Sequence, residues 1–393
     1  MDIVIFTHPD FFNSQSMPRF AKMLSEGMKE LGHKVEIWSP KPKFYRLGLP
    51  DFYKKWLGYL DQYILFPYEI RSRIKTKPAD TLYVFADNAL GPWVPLVADR
   101  PHIIHCHDFL AQRSALDEIP ENPTSWTGKK YQLYIREGYR QGKNFISVSH
   151  KTKSDLFSFL KSTPPISEVV YNGLNPIYKP GDIRESRILL SSNFRLNLMQ
   201  GYLLHIGGNQ WYKNRVGVIE IYNAWRKKYT HSLPLLLVGQ KPSRELLQLV
   251  ESSVFKEDIH FISGVDDQQV VHAYRGASVF LFPSLAEGFG WPIAEAMACG
   301  CRVLTTNEAP MTEVAGNAAE LIPCKPRNNE AIQQWAADAA NAVEKIITET
   351  FEQHLSFVNE GFENSKKYNA EAATARIEHI YKAVLDTYSR PTE

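Results

Sequence analysis

The sequence has few cysteines, almost no net charge and no long apolar run, and each of these features excludes a class of protein. Its four cysteines lack the paired spacing of metal or redox sites, so we expect reduced, buried thiols of a cytosolic protein. A formal net charge of +2 gives no reason to expect nucleic acid as a partner. No stretch approaches the roughly 18 apolar residues that span a bilayer, and the first residues resemble a strand rather than a signal peptide. We expect a soluble or peripheral protein.

The remaining composition is that of a globular α/β protein. Hydrophobic residues make up 44% of the 393 residues, and this length suits two domains of somewhat under 200 residues each. Short apolar runs alternate with amphipathic helical segments in both halves, which is the pattern of repeated βαβ units. In the second half we predict strands in the segments YLLHIGG, LPLLLVG, IHFISGV, SVFLFPS, CRVLTT and AELIP.

The segment 283–309 combines a strand end, a turn and a helix start. An apolar strand ends at Pro283, Pro292 suits the start of a helix, and Gly300 suits its end. The backbone N–H groups around Phe289, Gly290 and Trp291 would then face outward at a helix N-terminus, where anions bind favourably.

Two carboxylates, Glu287 and Glu295, flank this turn and are eight positions apart in the sequence. One carboxylate could meet a ligand from the loop and the other from the helix. The alternative is that Glu295 only complements the helix dipole from the first turn and that Glu287 is a solvated loop residue. The longer string PSLxEGFGxPxxEAMACG, however, resembles the Glu-x7-Glu signature of the retaining glycosyltransferases of family 4. The resemblance implies that Glu295 holds the ribose hydroxyls of a nucleotide-sugar. It also implies that Glu287 and the amides of Phe289 and Gly290 hold the sugar and its phosphates.

The same resemblance extends to the loop 207–214, which is similar to the phosphate-binding loop of that family. It implies that Lys213 is the cation for the diphosphate. Many members place an arginine where this chain has Gly208, and the sequence leaves open whether Arg215 compensates. The other donor-binding residues that we expect are Gly208, Asn209, Gly239, Gly264, Val265 and Trp291, with Gly264 and Val265 beside the nucleobase.

Polar residues also follow two predicted strands of the first half. Asp87, His107 and Asp108 come where ligands bind in open α/β sheets, beyond the carboxyl ends of the strands. The resemblance implies that His107 contacts the transferred sugar. The alternative is a histidine that only bonds to backbone. His105 and His107 as a metal pair are a weaker hypothesis, because no further ligand is apparent.

The resemblance implies the GT-B fold, with two Rossmann-like domains facing across a cleft. We place the acceptor domain at 1–180, with the last helix, about 372–393, crossing back to it, and the donor domain at 181–371. The implied function is retaining, metal-independent transfer of a hexose, with glucose from a UDP-sugar as the best single choice, to a saccharide or lipid-linked saccharide. No cofactor is expected, since no Asp-x-Asp pair stands at a strand end. A nucleotide-sugar epimerase or hydrolase and an inactive nucleotide-binding scaffold stay open as alternatives.

Residues 41–75 hold eight basic and three acidic residues interleaved with aromatic ones. One interpretation is a surface for a membrane or a lipid acceptor, with aromatic rings at the interface and basic groups near anionic headgroups. The other is a helix whose aromatic face packs on the domain core while its basic residues are solvated. The second interpretation is the one that we favour from the sequence.

Overall fold

The computed structural model describes residues 1–11, 16–48 and 50–389. The chain divides into two compact units, one of Met1–Tyr171 with Glu371–Glu393 and one of Asn172–Ala370. The boundary that we placed near Gly181 lies inside the second unit. The chain joins that unit earlier because the Leu174 N–H donates to the Tyr368 carbonyl, and Leu174 forms an isolated bridge with Asn369.

The first unit contains a six-stranded parallel sheet. Its strands lie in the order β2-β1-β3-β4-β5-β6. They are β1 Asp2–Phe6, β2 Lys34–Trp38, β3 Leu82–Phe85, β4 His102–Cys106, β5 Asn144–Ser147 and β6 Ile166–Val169. Alternate residues of β1 belong to two cores, Val4 and Phe6 to one and Ile3 and Ile5 to the other, so both faces of the sheet are covered.

Helices connect these strands. They are α1 Ser16–Glu30, α2 Asp51–Leu60, α3 Phe66–Ile74, α4 Leu110–Ala115, α5 Trp126–Tyr139 and α6 His150–Phe159. A π-helical segment, Asp61–Leu65, joins α2 to α3, and a 3-10 segment, Asn88–Leu96, follows β3. None of the helices within the described ranges is long and apolar enough to cross a bilayer.

The second unit repeats the architecture, and all six strands predicted there are confirmed. The strands are β7 Leu203–Gly207, β8 Leu235–Gly239, β9 Ile259–Ile262, β10 Val279–Phe282, β11 Val303–Thr306 and β12 Ala319–Ile322. They form a parallel sheet in the order β12-β11-β10-β7-β8-β9. The strand order reverses between β7 and β10, and open α/β sheets bind ligands beyond the strand ends at such a point.

The helices of the second unit include α11, which follows β10 at that point. They are α7 Ile183–Phe194, α8 Arg215–Lys228, α9 Arg244–Glu251, α10 Asp267–Gly276, α11 Trp291–Ala298, α12 Met311–Ala315, α13 Asn329–Ile347 and α14 Phe351–Ser365. Cys106, Cys299 and Cys301 are buried free thiols, whereas Cys324 is partly exposed.

The last helix, α15 (Ala370–Ser389), returns to the first unit as predicted. Ile377, Tyr381 and Val384 are buried in the same core as Ile3 and Ile5. The buried side chains of Tyr381 and His105 share a hydrogen bond of 2.8 Å. His105 is therefore part of the core, and burial lowers its pKa to about 3.

Candidate functional site

The turn after β10 folds as the sequence predicts, with one difference in where the helix begins. Gly290 caps α11 with φ +107°, a left-handed conformation that glycine adopts without strain. The helix begins at Trp291, with Pro292 as its second residue. Glu295 is consequently the fifth residue of α11, in its second turn. Our placement of Glu295 in the first turn is wrong.

Lys213 and Glu287 meet in an ion pair of 2.7 Å between Nζ and Oε1. Their side chains are only 16% and 9% exposed, so the interpretation of Glu287 as a solvated loop residue is wrong. Lys213 ends a short 3-10 turn, Trp211–Lys213, which precedes α8. The Leu285 N–H donates to the Tyr212 carbonyl at 2.8 Å and joins the two loops that carry the pair.

Glu295 lies among tyrosines that the sequence analysis did not identify. The Tyr274 hydroxyl donates to Glu295 Oε2 at 2.9 Å, and Tyr178 also bonds to this carboxyl group. Burial raises the pKa of Glu295 from 4.5 to about 7, against the opposing effect of the tyrosine hydrogen bonds and of the positive Lys213. Tyr178 and Tyr274 are far from Glu295 in sequence, so no local motif points to them.

Three further polar side chains at these strand ends keep unused hydrogen-bonding atoms. The His205 Nδ1–H donates to the Leu281 carbonyl at 2.8 Å, which leaves the Nε2 lone pair unpaired. The buried Ser284 Oγ and the Nε and Nη2 of Arg215 also find no partner among the described residues. Since buried polar groups are normally satisfied, these atoms mark a place where water or a ligand completes the structure.

Arg215 bonds to the loop that carries Asn209. Its Nη1 donates to Asn209 Oδ1 at 2.6 Å and to the Gln240 carbonyl at 3.0 Å. Burial lowers the pKa of Arg215 to about 10, so its guanidinium remains charged at neutral pH. The Asn209 side chain also donates to the Lys241 carbonyl, and both ends of its amide are therefore bonded to protein. Arg215 thus ties the loop 207–214, which also carries Lys213, to the loop that follows β8.

The structure gives a different reason for glycine at each of the positions that we assigned to the donor site. Gly239 has φ +135°, and a Cβ there would lie 2.2 Å from the Gly207 carbonyl oxygen, so β7 and β8 need it for close approach. Gly264 has φ +76° with open space around it, and it stands with Val265 just before the capping box of α10. The atoms nearest to a Cβ on Gly208 would be those of the flexible Gln210 side chain.

In the first unit, Asp87 and His107 line a cavity of about 250 Å³ at the ends of β3 and β4. The Asp87 carboxylate caps the following 3-10 segment through the Ala89 N–H at 3.1 Å and lies 2.8 Å from His8 Nε2. Although burial opposes ionisation, these bonds lower the pKa of Asp87. Asp108 is exposed and accepts the Leu110 N–H.

His107 bonds to backbone, as the structural alternative expects. Its Nε2–H donates to the Ala86 carbonyl at 2.9 Å, and burial lowers its pKa. The ring is therefore neutral with the proton on Nε2, and its Nδ1 is an acceptor. Such a ring accepts a hydrogen bond from a hydroxyl group, so a backbone bond and contact with a sugar are compatible.

No group of three or more histidine, cysteine or acidic residues within the part of the chain that the structure describes is placed to hold a metal ion. At the strand ends of the second unit, Lys213 and Arg215 are positively charged, and the amides at the start of α11 add partial positive charge.

Comparisons with known proteins agree with this architecture. Residues 17–177 match the family model described as Glycosyltransferase Family 4, and residues 189–361 match Glycosyl transferases group 1. The chain is 29% identical over 185 residues to O-antigen chain mannosyltransferase B of Escherichia coli, covering 47% of this chain and 46% of the relative. It is 26% identical over 181 residues to the lipopolysaccharide glucosyltransferase WaaG of Escherichia coli K12, covering 45% and 48%. The chain thus spans about half the length of these two relatives.

Solved structures extend the similarity to nearly the whole chain. The structure of WaaG, described as a glycosyltransferase involved in lipopolysaccharide biosynthesis, has a TM-score of 0.69 at 16% identity and covers 96% of this chain and 99% of its own. Anabaena HepE in complex with UDP and glucose has a TM-score of 0.71 at 14% identity and covers 97% and 99%. With two parallel sheets of this topology and family matches in both halves, the chain belongs to the family 4, group 1 glycosyltransferases of GT-B fold.

Proposed function

We propose that this protein is a retaining, metal-independent hexosyltransferase that moves glucose from UDP-glucose to a saccharide or lipid-linked saccharide in glycoconjugate synthesis. The reaction would take place in the cytoplasm, as expected for an enzyme that uses nucleotide-sugars. The choice of UDP and glucose is supported by the names of two similar proteins, a glucosyltransferase and a protein solved with UDP and glucose.

The observation that carries the proposal is the ion pair between Lys213 and Glu287 beside the start of α11. In the ligand-free chain the two charges neutralise each other in a largely buried place. A diphosphate has more negative charge than a carboxylate and can take over the ammonium group, helped by the amides of Phe289, Gly290 and Trp291. Glu287 is then released to accept hydrogen bonds from hydroxyls of the sugar.

Glu295 would hold the ribose. When the ribose hydroxyls donate to its carboxylate, they compensate its burial, which the tyrosines do only in part. Gly264 and Val265 would lie beside the base, Gly208, Asn209 and Gly239 would shape the phosphate loop, and His107 would accept a hydrogen bond from the transferred sugar.

In the proposed reaction, the acceptor oxygen forms its bond to the anomeric carbon on the face from which the phosphate oxygen departs. The bond between that carbon and the phosphate oxygen breaks, and the acceptor proton goes to the departing phosphate. No side chain then acts as a general base, and the enzyme contributes position and charge: Lys213 and the helix amides stabilise the leaving diphosphate.

Calorimetric titration of UDP, GDP, ADP and dTDP, with EDTA present, tests the donor site. We expect UDP to bind the wild-type protein most tightly. Replacing Lys213→Ala should weaken UDP binding by about 10- to 100-fold, because a charged hydrogen bond contributes about 1.5–3 kcal/mol. Titration of UMP, which lacks the second phosphate, separates the two roles. Glu295→Gln should weaken the binding of UMP and UDP equally, whereas Lys213→Ala should weaken mainly the binding of UDP.

A second donor is favoured by one observation: several relatives are mannosyltransferases. If GDP binds most tightly, the proposed donor becomes GDP-mannose instead of UDP-glucose. The proposed roles of Lys213 and Glu295 would not change. Binding that requires added magnesium would contradict the metal-independent mechanism. If no nucleotide binds, the transferase proposal fails, and a catalytically inactive scaffold becomes the favoured alternative.

A further inference from the structure

Five large apolar side chains stand at every fourth position along the continuous helical run formed by α2, the π-helical segment and α3. Phe52, Trp56, Leu60, Ile64 and Tyr68 are 78%, 56%, 37%, 59% and 77% exposed. We call this set the exposed stripe. Its exposure shows that the packing interpretation favoured from the sequence is wrong for these residues. Only the opposite side of the run, with Phe66, Ile70 and Ile74, packs into the core.

The π-helical segment reduces the rotation of the stripe around the helical run. Four residues exceed one α-helical turn by about 40°, so a stripe at this spacing would rotate by about 160° between Phe52 and Tyr68 in a regular helix. The wider turn of Asp61–Leu65 needs more residues per turn and offsets part of this rotation. The result is an apolar surface about 24 Å long.

The centre of the helical run is anchored on the first unit by hydrogen bonds of three consecutive residues. The buried Asp61 carboxylate accepts the backbone N–H groups of Phe44 and Tyr45, both at 2.9 Å. The indole N–H of Trp93 donates to the Gln62 carbonyl at 3.0 Å. Tyr63 bonds to Tyr131 of α5 through their hydroxyls at 2.6 Å.

The charges beside the stripe are mainly positive. Lys55, Arg71 and Lys75 are exposed along the run, and Lys41, Lys43 and Arg46 are exposed just before it. Of the acidic side chains that the structure describes here, Asp61 is buried and Glu69 lies 3.5 Å from Arg73. An apolar helical face with aromatic residues and flanking cations is what binds the interface of an anionic bilayer.

We propose that the exposed stripe docks this protein onto the surface of an anionic membrane. Its rings and aliphatic side chains would enter the boundary between headgroups and acyl chains, and the flanking lysines and arginines would contact phosphates. A groove of about 330 Å³ beside the stripe, lined only by apolar and aromatic residues including Tyr53, Leu57 and Tyr59, has room for part of an acyl chain. The proposal concerns a surface of the first unit and does not depend on the donor chemistry.

Flotation with vesicles tests the proposal. Wild-type protein should float with vesicles of phosphatidylglycerol and phosphatidylcholine in equal parts and bind phosphatidylcholine alone more weakly, with a loss of the difference at high salt. The double variant Phe52→Ser, Trp56→Ser should lower the partition coefficient at least about tenfold on both compositions. Lys55→Glu, Arg71→Glu should lower it mainly on the anionic vesicles.

Phe351→Ser is the matched control, since Phe351 is 80% exposed on a helix of the second unit and should not change flotation. Circular dichroism melting should show that every variant folds, because only exposed side chains are changed. The proposal is overturned if the wild type does not float, or if Phe351→Ser weakens flotation as much as the stripe variant. It is also overturned if the wild type is a dimer in solution that the stripe variant dissociates and that does not bind vesicles, because the stripe would then be a protein interface.

Discussion

Both units have polar side chains beyond the ends of their parallel strands. The two sets of side chains differ in how many of their hydrogen-bonding atoms find a partner within the protein. In the first unit, Asp87 is bonded by His8 and by the Ala89 N–H, and the His107 ring donates to the Ala86 carbonyl. In the second unit, buried atoms of His205, Arg215 and Ser284 lack partners within the described chain. Asp87 and His107 thus find their partners within the first unit, although Gln112 Oε1 beside them does not, whereas the second cluster leaves several buried atoms for water or a ligand.

The pKa values express the same difference. The partners of Asp87 lower its pKa despite burial, so its charged form is stabilised by the fold itself. Burial raises the pKa of Glu295 to about 7 despite the bonds from Tyr274 and Tyr178, so its charge is under-compensated. The proposal that the second unit holds the donor can be tested by changing one carboxylate at a time.

The largest effect is expected for Glu287→Gln. We expect the rate of UDP release from UDP-glucose to fall about 10²- to 10³-fold, the usual loss when one electrostatic contact to the transition state is removed. UDP itself should bind at least as tightly, because Lys213 no longer has a competing carboxylate. Steady-state kinetics and calorimetry separate the two effects.

Glu320→Gln is the control for this charge change. Glu320 is on β12 of the same sheet and pairs with Lys345 of α13, away from the Lys213–Glu287 pair. It should leave both the rate and UDP affinity unchanged. Undiminished transfer by Glu287→Gln would remove Glu287 from the catalytic role and with it the central step of the proposed mechanism.

A smaller effect, on stability rather than on donor binding, is expected for Asp87→Ala. The variant should lower the free energy of unfolding by about 1–3 kcal/mol, because it removes a helix cap and leaves a histidine without its partner. UDP affinity should not change, since the residues proposed to bind UDP are in the second unit. Denaturant unfolding and calorimetry measure these two quantities. A loss of UDP binding in the folded variant would show that the first cluster contributes to the donor site.

Asp182→Ala provides the comparison for the cap alone, because Asp182 caps α7 without a histidine partner. It should cost about 0.5–2 kcal/mol, and less than Asp87→Ala.

The smallest effect is a pH dependence of opposite sign at the two carboxyls. The raised pKa of Glu295 means that the nucleotide-free folded protein keeps a proton that the unfolded chain loses between pH 4.5 and about 7. The contribution of Glu295 to stability is therefore full below pH 4.5 and is lost as the pH rises to about 7. The lowered pKa of Asp87 gives the opposite sign, a contribution that is present above its ordinary pKa of 3.8 and lost in acid.

Thermal unfolding across this range, with wild type and Glu295→Gln measured side by side, tests the sign for Glu295. As the pH rises from 4.5 to 7, the melting temperature of the wild type should fall relative to that of Glu295→Gln. Saturating UDP should remove this difference between the two pH profiles. Equal pH profiles for the two proteins would mean that the Glu295 carboxyl is solvated and that its pKa is not raised. The proposed contrast with Asp87 would then be wrong.

The sequence by itself determined the strands of the second unit and the position of the turn before α11. Buried parallel strands need continuous apolar runs, so all six strands of the second unit were visible locally, and so was the turn between Pro283 and Trp291. The return of the last helix followed from the family resemblance and agrees with its buried face. These features are set by residues that are neighbours in the chain or that repeat with a regular period.

Only the tertiary structure decided which side chains meet. The pairing of Lys213 with Glu287, the tyrosines around Glu295 and the loop support by Arg215 join residues on different strands and helices, and no local spacing encodes those distances. The stripe on α2 and α3 was likewise misassigned from the sequence. An aromatic periodicity is the same whether it faces a core or solvent, and here the π-helical segment and the buried Asp61 determine which side faces out.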